Sequence, residues 1–173
     1  MAIPFVSAHI LPGKGIGDGI IHPILGMDHL FAMLAVGILS IHLKKSWQLP
    51  LTFVSVMVGG AIAAVYGLGI PTVELGIAFS VMFLGLAIIF AKRIPFVIAV
   101  ICTGIFGFFH GHAHGTEMSI IVQPMLYMLG FVLSTISLHL TGIGIGYYSD
   151  NLSKYAVPTI GVCVMLLGVL FLI

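Results

Sequence analysis

The sequence contains very few charged residues for its length. Six Lys or Arg and five Asp or Glu residues among 173 make the charged fraction 6%. A soluble globular domain usually carries about a quarter charged residues, so this composition excludes a soluble domain as well as a disordered chain or a coiled coil. The net charge of +1, without a long basic run, also excludes an extended nucleic-acid surface.

Cysteine is equally scarce. The two cysteines, Cys102 and Cys163, lie far apart in apolar runs. Isolated cysteines in such runs are typical of small core residues. We therefore expect neither a disulfide framework nor a zinc knuckle.

Hydrophobic residues are what the chain has in abundance. They make up 60% of it, and its mean hydropathy is +1.26. A helix needs about 20 mainly apolar residues to cross a bilayer, and charges, prolines and glycines divide the sequence into six such runs. We predict an all-α bundle of six transmembrane helices in a lipid bilayer, forming one domain over residues 1–173. The predicted spans are Ile20–Ile41, Leu49–Leu68, Val73–Phe90, Pro95–His110, Pro124–Tyr147 and Tyr155–Ile173.

Basic residues occur in alternate loops. Lys44 and Lys45 follow the first predicted span, Lys92 and Arg93 the third, and Lys154 the fifth. The loops after the second and fourth spans contain no Lys or Arg. Since short loops rich in Lys and Arg stay on the cytoplasmic side, we predict that both termini lie outside.

The N-terminus contains a short processing-like pattern. Val6-Ser7-Ala8 before His9 has the small residues of a signal-peptidase site, but residues 1–8 are too short for a whole signal peptide. Two explanations stay open: these residues are the remnant of a longer signal peptide, or the likeness is accidental. An outside N-terminus is what cleavage would produce.

The first predicted span contains a cluster of polar residues in a chain with eight histidines. His22 and His29 lie about 20° from the same line of a helix. Asp28 points about a third of a turn away, unless Pro23 and Gly26 distort the helix. Imidazole and carboxylate suit divalent nickel, cobalt, zinc or iron, and a carboxylate at the bilayer centre costs roughly 2.5–3.5 kcal/mol. A metal site is therefore predicted, with an interhelical hydrogen-bond network as the alternative.

A second cluster ends the fourth predicted span. In a helix His110, His114 and Glu117 would share one face, with His112 on the other. In an extended loop the three histidines would line up together. Three imidazoles and a carboxylate within such a short segment indicate metal binding in either case, and a purely structural role is the alternative.

Glu74 is a further candidate ligand, and Met33, His139 and His9 are weaker candidates. Glu74 opens the third predicted span on the same side, where its alternative role is to stabilise the helix N-terminus. Met33 continues the stripe of the first cluster, and methionine is more often a packing residue. His139 lies late in the fifth span and is either an exit-path ligand or an interfacial residue. Whether His9 captures the metal ion at the N-terminus is also left open.

These residues fall into motifs that resemble signatures of the HupE/UreJ family. Residues 22–37 look like its H-P-x-x-G-x-D-H-x-x-x-M-x-x-x-G motif, and residues 106–117 like its F-G-x-x-H-G-x-A-H-G-x-E motif. Residues 74–85 and 130–139 are similar to two less specific motifs of the family. The likeness extends over nearly the whole chain.

The resemblance implies a six-span permease of the bacterial inner membrane, for nickel and in some cases cobalt. It also implies a link to hydrogenase, urease or cobalamin pathways, and His9 as the first residue after signal cleavage. The functional set that the resemblance implies is His22, Asp28, His29, Glu74 and Glu117.

We therefore expect a secondary permease, not an enzyme, that imports Ni²⁺, with Co²⁺ as the next candidate and Zn²⁺ after it. No permanent cofactor is expected. The ion would pass from an outer vestibule, formed by residues 110–117, to an intramembrane site at His22, Asp28 and His29 with Glu74. One alternative is an intramembrane zinc metallohydrolase, with His110 among the ligands and Glu117 as base; the other is an accessory metal-sensing subunit. The oligomeric state stays open, a homo-oligomer included.

Overall fold

The computed structural model describes residues 15–44, 47–118 and 123–173. Within these ranges the chain forms seven α-helices and no β-strand, so the all-α prediction is confirmed. The predictions for residues 1–8, His9 and Lys45 lie outside the described residues. The helices are α1 (Ile16–Leu25), α2 (Met27–His42), α3 (Gln48–Val65), α4 (Val73–Ile89), α5 (Phe96–Met118), α6 (Pro124–Leu152) and α7 (Ala156–Leu170).

Several helices are long and apolar enough to cross a membrane. Among the described residues these are α3, α5 and the Pro124–Ser149 part of α6, and the bent pair α1 and α2 adds a fourth if it is one span. The helices α4 and α7 are apolar but shorter, with 17 and 15 residues. The fourth predicted span is extended, because α5 continues beyond His110 to Met118.

Gly26 divides the first predicted span into two helices. The axes of α1 and α2 differ by 82° at this point. Gly26 has φ −74° and ψ 102°, an extended conformation that ends the helical geometry of α1, and Pro23 inside α1 has no backbone N–H to donate. A Cβ at Gly26 would lie 3.2 Å from the Nδ1 atom of His29 and 3.3 Å from the Oδ1 atom of Asp28. The missing side chain therefore leaves room for two polar groups at the bend.

Glycines bring pairs of helices into close backbone contact. On α5, a Cβ at Gly111 would overlap the carbonyl oxygen of Met57 on α3. On α6, a Cβ at Gly142 would overlap the carbonyl oxygen of Leu34 on α2. Small residues at such crossings allow helices to pack by van der Waals contact where no hydrophobic effect drives association.

The helix directions collect the described basic residues at one end of the bundle. The glycine contacts show that α2 runs parallel to α6 and that α3 runs parallel to α5. Ring contacts and hydrogen bonds show that α4 and α6 both run antiparallel to α5. The C-terminal ends of α2, α4 and α6 therefore lie together, and we refer to this as the basic end. The basic residues that follow these helices are Lys44, Lys92, Arg93 and Lys154.

Apolar side chains cover the outside of the bundle, whereas imidazoles lie inside it. Ile62, Val97 and Met125 are 52%, 65% and 79% exposed. A surface with many exposed large apolar side chains suits contact with lipid. The buried histidines are His29, His110, His112, His114 and His139.

Candidate metal site

Three imidazoles from α1, α2 and α5 meet at the bend between α1 and α2. One ring nitrogen from each of His22, His29 and His114 lies within 4.8 Å of the other two. The ring centroid of His114 is 4.7 Å from that of His22 and 4.7 Å from that of His29. Since metal–imidazole bonds are about 2.0–2.1 Å, ligands on opposite sides of one ion are about 4 Å apart. This group, the histidine triad, therefore has a spacing close to that of ligands around one metal ion.

Asp28 orients one imidazole of the triad. Its Oδ1 atom accepts a hydrogen bond from the Nδ1 atom of His29 at 2.6 Å and another from the backbone N–H of His29 at 2.7 Å. Because an ionised carboxylate only accepts, Nδ1 carries the ring proton and Nε2 carries the lone pair. The Nε2 atom is buried and has no hydrogen-bond partner among the described residues. Such carboxylate–histidine pairs fix the tautomer of metal-binding imidazoles and increase their basicity.

His110 adds a fourth imidazole beside the triad. Its ring centroid is 4.7 Å from that of His29. The Ser80 hydroxyl donates to the carbonyl oxygen of Ile77 at 2.6 Å, so its oxygen accepts from the Nε2–H group of His110 at 2.9 Å. This arrangement leaves the lone pair on Nδ1, which is buried and has no hydrogen-bond partner in the described part of the chain. Sequence reasoning assigned Ser80 no role, although it stands in the family-like motif of residues 74–85.

Glu117 and Tyr127 form the polar rim of the triad. The Oε2 atom of Glu117 is 3.4 Å from the Nδ1 atom of His114 and 4.0 Å from the Nε2 atom of His22. The Tyr127 hydroxyl donates to the same Oε2 atom at 3.2 Å. Phe131 closes the apolar side, with its ring centroid 3.8 Å from that of His114. Sequence reasoning missed Tyr127 and Phe131; the available signal for Tyr127 was that a buried tyrosine hydroxyl needs a partner.

His112 lies apart from the other imidazoles of α5. Its Nε2–H group donates to the carbonyl oxygen of Leu68 at 2.5 Å, in the connection between α3 and α4. Residues 110–117 are therefore helical, which is the first of the two conformations considered for the second cluster. In a helix, side chains two residues apart differ in direction by about 200°, so His112 points away from His110 and His114. The geometry gives His112 the role of anchoring the connection between α3 and α4.

The other candidates also lie outside the triad. Glu74 is exposed in the first turn of α4. The Met33 side chain is part of the hydrophobic core, while its carbonyl oxygen accepts a hydrogen bond from the Nδ1 atom of His139 at 2.8 Å. His139 is 2% exposed, and its Nε2 atom has no hydrogen-bond partner among the described residues.

The two sequence clusters form one group in space. The sequence-based expectation separated an outer vestibule at residues 110–117 from a deeper site in the first span. Instead, His110 is in ring contact with His29, and His114 with both His22 and His29. The bend at Gly26 and the extension of α5 beyond His110 bring the two clusters to the same level of the bundle.

Comparisons with known proteins agree with the motifs in the chain. A family model described as "HupE / UreJ protein" matches residues 1–171. The chain is 40% identical over 149 residues to "Protein HupE" of Rhizobium leguminosarum bv. viciae, an alignment that covers 84% of this chain and 78% of that protein. No solved structure gives a significant match.

Proposed function

Because the chain belongs to the HupE/UreJ family, we propose that it is a permease that imports a divalent transition-metal ion, with Ni²⁺ as the first candidate and Co²⁺ as the next. The observation that carries this proposal is the histidine triad, which gathers one nitrogen each from His22, His29 and His114 within 4.8 Å. These residues come from distant parts of the sequence, and the bundle interior brings them together. Zn²⁺ is a weaker candidate cargo.

The ligand chemistry of the triad suits a transported ion. Imidazole nitrogens bind nickel, cobalt and zinc, whereas thiolate ligands favour copper(I), zinc and iron–sulfur clusters. The described cysteines, Cys102 and Cys163, are not part of the triad. Since conduction requires binding that is strong enough to admit an ion yet weak enough to release it, a site of neutral imidazoles with nearby carboxylates meets both needs.

Carboxylates around the triad provide the attraction for a cation. Asp28 and Glu117 bond to imidazoles of the triad, and Glu74 lies in the first turn of α4, at the end of the bundle opposite the basic end. The basic side chains of the described residues belong to the opposite, basic end. A cleft with charge of one sign raises the local concentration of counter-ions and the rate of their arrival. We infer that Glu117 and Tyr127 meet the ion first, and that the triad with His110 then replaces its water ligands.

The membrane arrangement is part of the proposal. We propose six crossings, in which α1 and α2 together form a single broken span and α4 and α7 cross as short helices. The basic end would face the cytoplasm under the positive-inside rule, with both termini on the periplasmic side of the bacterial inner membrane. Broken helices that present their ends to a bound ion recur in secondary transporters, which supports an ion site at the bend next to Gly26.

Uptake of Ni²⁺ into liposomes that contain only this purified chain tests the proposal. We expect uptake to saturate with Ni²⁺ concentration and to be reduced by Co²⁺ in competition, with Zn²⁺ as the weaker competitor. Saturable uptake by the chain alone would also contradict the alternative of an accessory subunit that needs a larger transporter. Absence of uptake by folded protein would contradict the permease itself.

Two substitutions on the same helix provide a matched control. His114→Gln removes a nitrogen from the triad, and we expect Ni²⁺ uptake to fall by about tenfold or more. Substituting a residue that only supports a metal ligand already lowers metal affinity or activity by about 10–100-fold. His112→Gln makes the same chemical change on the opposite face, and its amide can still donate to the carbonyl oxygen of Leu68. We expect that variant to keep more than half of the uptake. Equal losses in the two variants would contradict the assignment of the triad.

A further inference from the structure

One aromatic ring contacts two buried imidazoles inside the bundle. The ring centroid of Phe53, on α3, is 5.4 Å from that of His110 and 5.2 Å from that of His139. Phe53 is 0% exposed. We propose that Phe53 is a gate that divides the ion path into an outer station, at the triad and His110, and an inner station at His139. This inference deepens the proposed function and rests on it.

The imidazoles on both sides of Phe53 carry ligand-type lone pairs. The Nε2–H group of His110 is bonded to Ser80, and the Nδ1–H group of His139 is bonded to the carbonyl oxygen of Met33 at 2.8 Å. The remaining nitrogens, Nδ1 of His110 and Nε2 of His139, are buried and have no hydrogen-bond partner among the described residues. A buried polar atom without a partner carries a free-energy penalty, which a passing metal ion would relieve.

The position of His139 fits an inner station. At 1.5 Å per residue, His139 lies about 18 Å further along α6 than Tyr127, toward the basic end. An ion that has passed Phe53 would therefore find a ligand on the side of the bundle toward the basic end.

The phenyl ring, and not its backbone, is the part of Phe53 that can move. A Cβ at Gly107 would lie 2.6 Å from the Phe53 carbonyl oxygen, so α3 and α5 are already in close contact at this level. Withdrawing the α3 backbone would require the two helices to separate, whereas a side-chain rotation is a local motion. Hydrophobic constrictions gate ion paths by excluding water and offering the ion no ligand. The ring blocks the path by the same means, because it supplies no nitrogen or oxygen between the stations.

Transport by Phe53 variants tests the gate in the full-length protein. We expect Phe53→Trp to lower Ni²⁺ uptake into liposomes by about tenfold, and Phe53→Ala to raise the maximal rate by about threefold, because ring size sets the constriction. The dissociation constant for Ni²⁺ at the outer station of detergent-solubilised protein should change by less than about threefold in both variants. Leu84→Ala is the control, since Leu84 is also buried in the hydrophobic core and its truncation leaves a comparable void. Wild-type uptake in both Phe53 variants, or the same changes in Leu84→Ala, would overturn the gate.

A second measurement does not depend on transport. A thiol is introduced by His139→Cys in a protein that also carries Cys102→Ala and Cys163→Ala, and a small cationic methanethiosulfonate reagent is added from the side of Glu117. We expect modification to be about tenfold faster when Phe53→Ala is added, because the ring no longer obstructs the path. Equal rates with and without Phe53→Ala would overturn the gate even if uptake is normal. A rate difference, together with an absence of Ni²⁺ uptake by the protein that keeps His139, would support the barrier and contradict the proposed transport.

Discussion

Replacing Asp28 with asparagine isolates the electrostatic contribution of the carboxylate to metal binding. The two side chains have nearly the same shape, and the Oδ1 atom of asparagine can still accept hydrogen bonds from His29. In the structure Oδ1 takes two such bonds, at 2.6 and 2.7 Å, and the Asp28 side chain is 24% exposed. The substitution therefore removes the negative charge while preserving the contacts that hold the ring.

The expected size of the effect follows from these bonds. Hydrogen bonds to a charged group contribute about 1.5–3 kcal/mol, against about 0.5–1.5 kcal/mol between neutral groups. Only the bond to Nδ1 polarises the imidazole, so losing the charge at that bond costs metal binding roughly 1–1.5 kcal/mol. Substitution of groups that support metal ligands typically lowers affinity by about 10–100-fold, or about 1.4–2.8 kcal/mol at 1.4 kcal/mol per tenfold. The two ranges overlap near tenfold, and we expect the dissociation constant for Ni²⁺ to rise by about that factor and uptake at low Ni²⁺ to fall accordingly.

Titration calorimetry of the purified protein with Ni²⁺ measures this change directly. Asp150→Asn is the matched control: it removes the same charge near the C-terminal end of α6, at the basic end and far from the triad. We expect that control to shift the dissociation constant by less than about threefold, since charges separated by more than a Debye length are largely screened. A wild-type dissociation constant in Asp28→Asn, or an equal shift in Asp150→Asn, would refute the reasoning.

Three further substitutions test other contacts of the site and of the fold. Ser80→Ala removes the acceptor that fixes the tautomer of His110; losing one buried hydrogen bond of about 1 kcal/mol should weaken Ni²⁺ binding about fivefold in a titration, and unchanged binding would contradict the tautomer assignment. Tyr127→Phe removes a donor to the carboxylate at the rim and should raise the KM for Ni²⁺ uptake by about tenfold, which corresponds to the lower end of about 1.5–3 kcal/mol for a charged hydrogen bond. Gly111→Ala places a methyl group on the carbonyl oxygen of Met57 and should destabilise the bundle by about 1–3 kcal/mol, seen as a lower Tm in detergent; an unchanged Tm would mean that the two helices separate freely.

The spacing of residues in the sequence predicted the local backbone features of the site, but it did not predict which helices pack together to form the site. The pairing of Pro23 with Gly26 indicated a distortion of the first span, and the structure has a bend of 82° there. The helical alternative for residues 110–117 predicted opposite faces for His112 and His114, which is what α5 has. Both features depend on the backbone preferences of a few neighbouring residues, and such preferences can be inferred from the chain alone.

Contacts between helices could not be inferred in this way. Nothing in the spacing indicated that His114 would meet His22, or that Tyr127 would bond to Glu117. These contacts depend on which helices pack together, and that in turn depends on glycines such as Gly111 and Gly142. Glycine content indicates close packing in general, but the partner of each glycine is a property of the whole bundle.

Residue types and their spacing were sufficient to identify an apolar all-helical chain, its alternate basic loops and two clusters of candidate ligand residues. Those features arise from hydrophobicity, helical periodicity and ligand chemistry, all of which are local. Only the folded bundle shows that the two clusters form one group. It also shows that Asp28 and Ser80 each bond to one nitrogen of a neighbouring imidazole, which leaves the lone pair on the other nitrogen. The contact of Phe53 with two histidines is likewise a property of the bundle. These depend on side chains that are distant in sequence and adjacent in space, because close packing of α2, α3, α5 and α6 sets which groups meet.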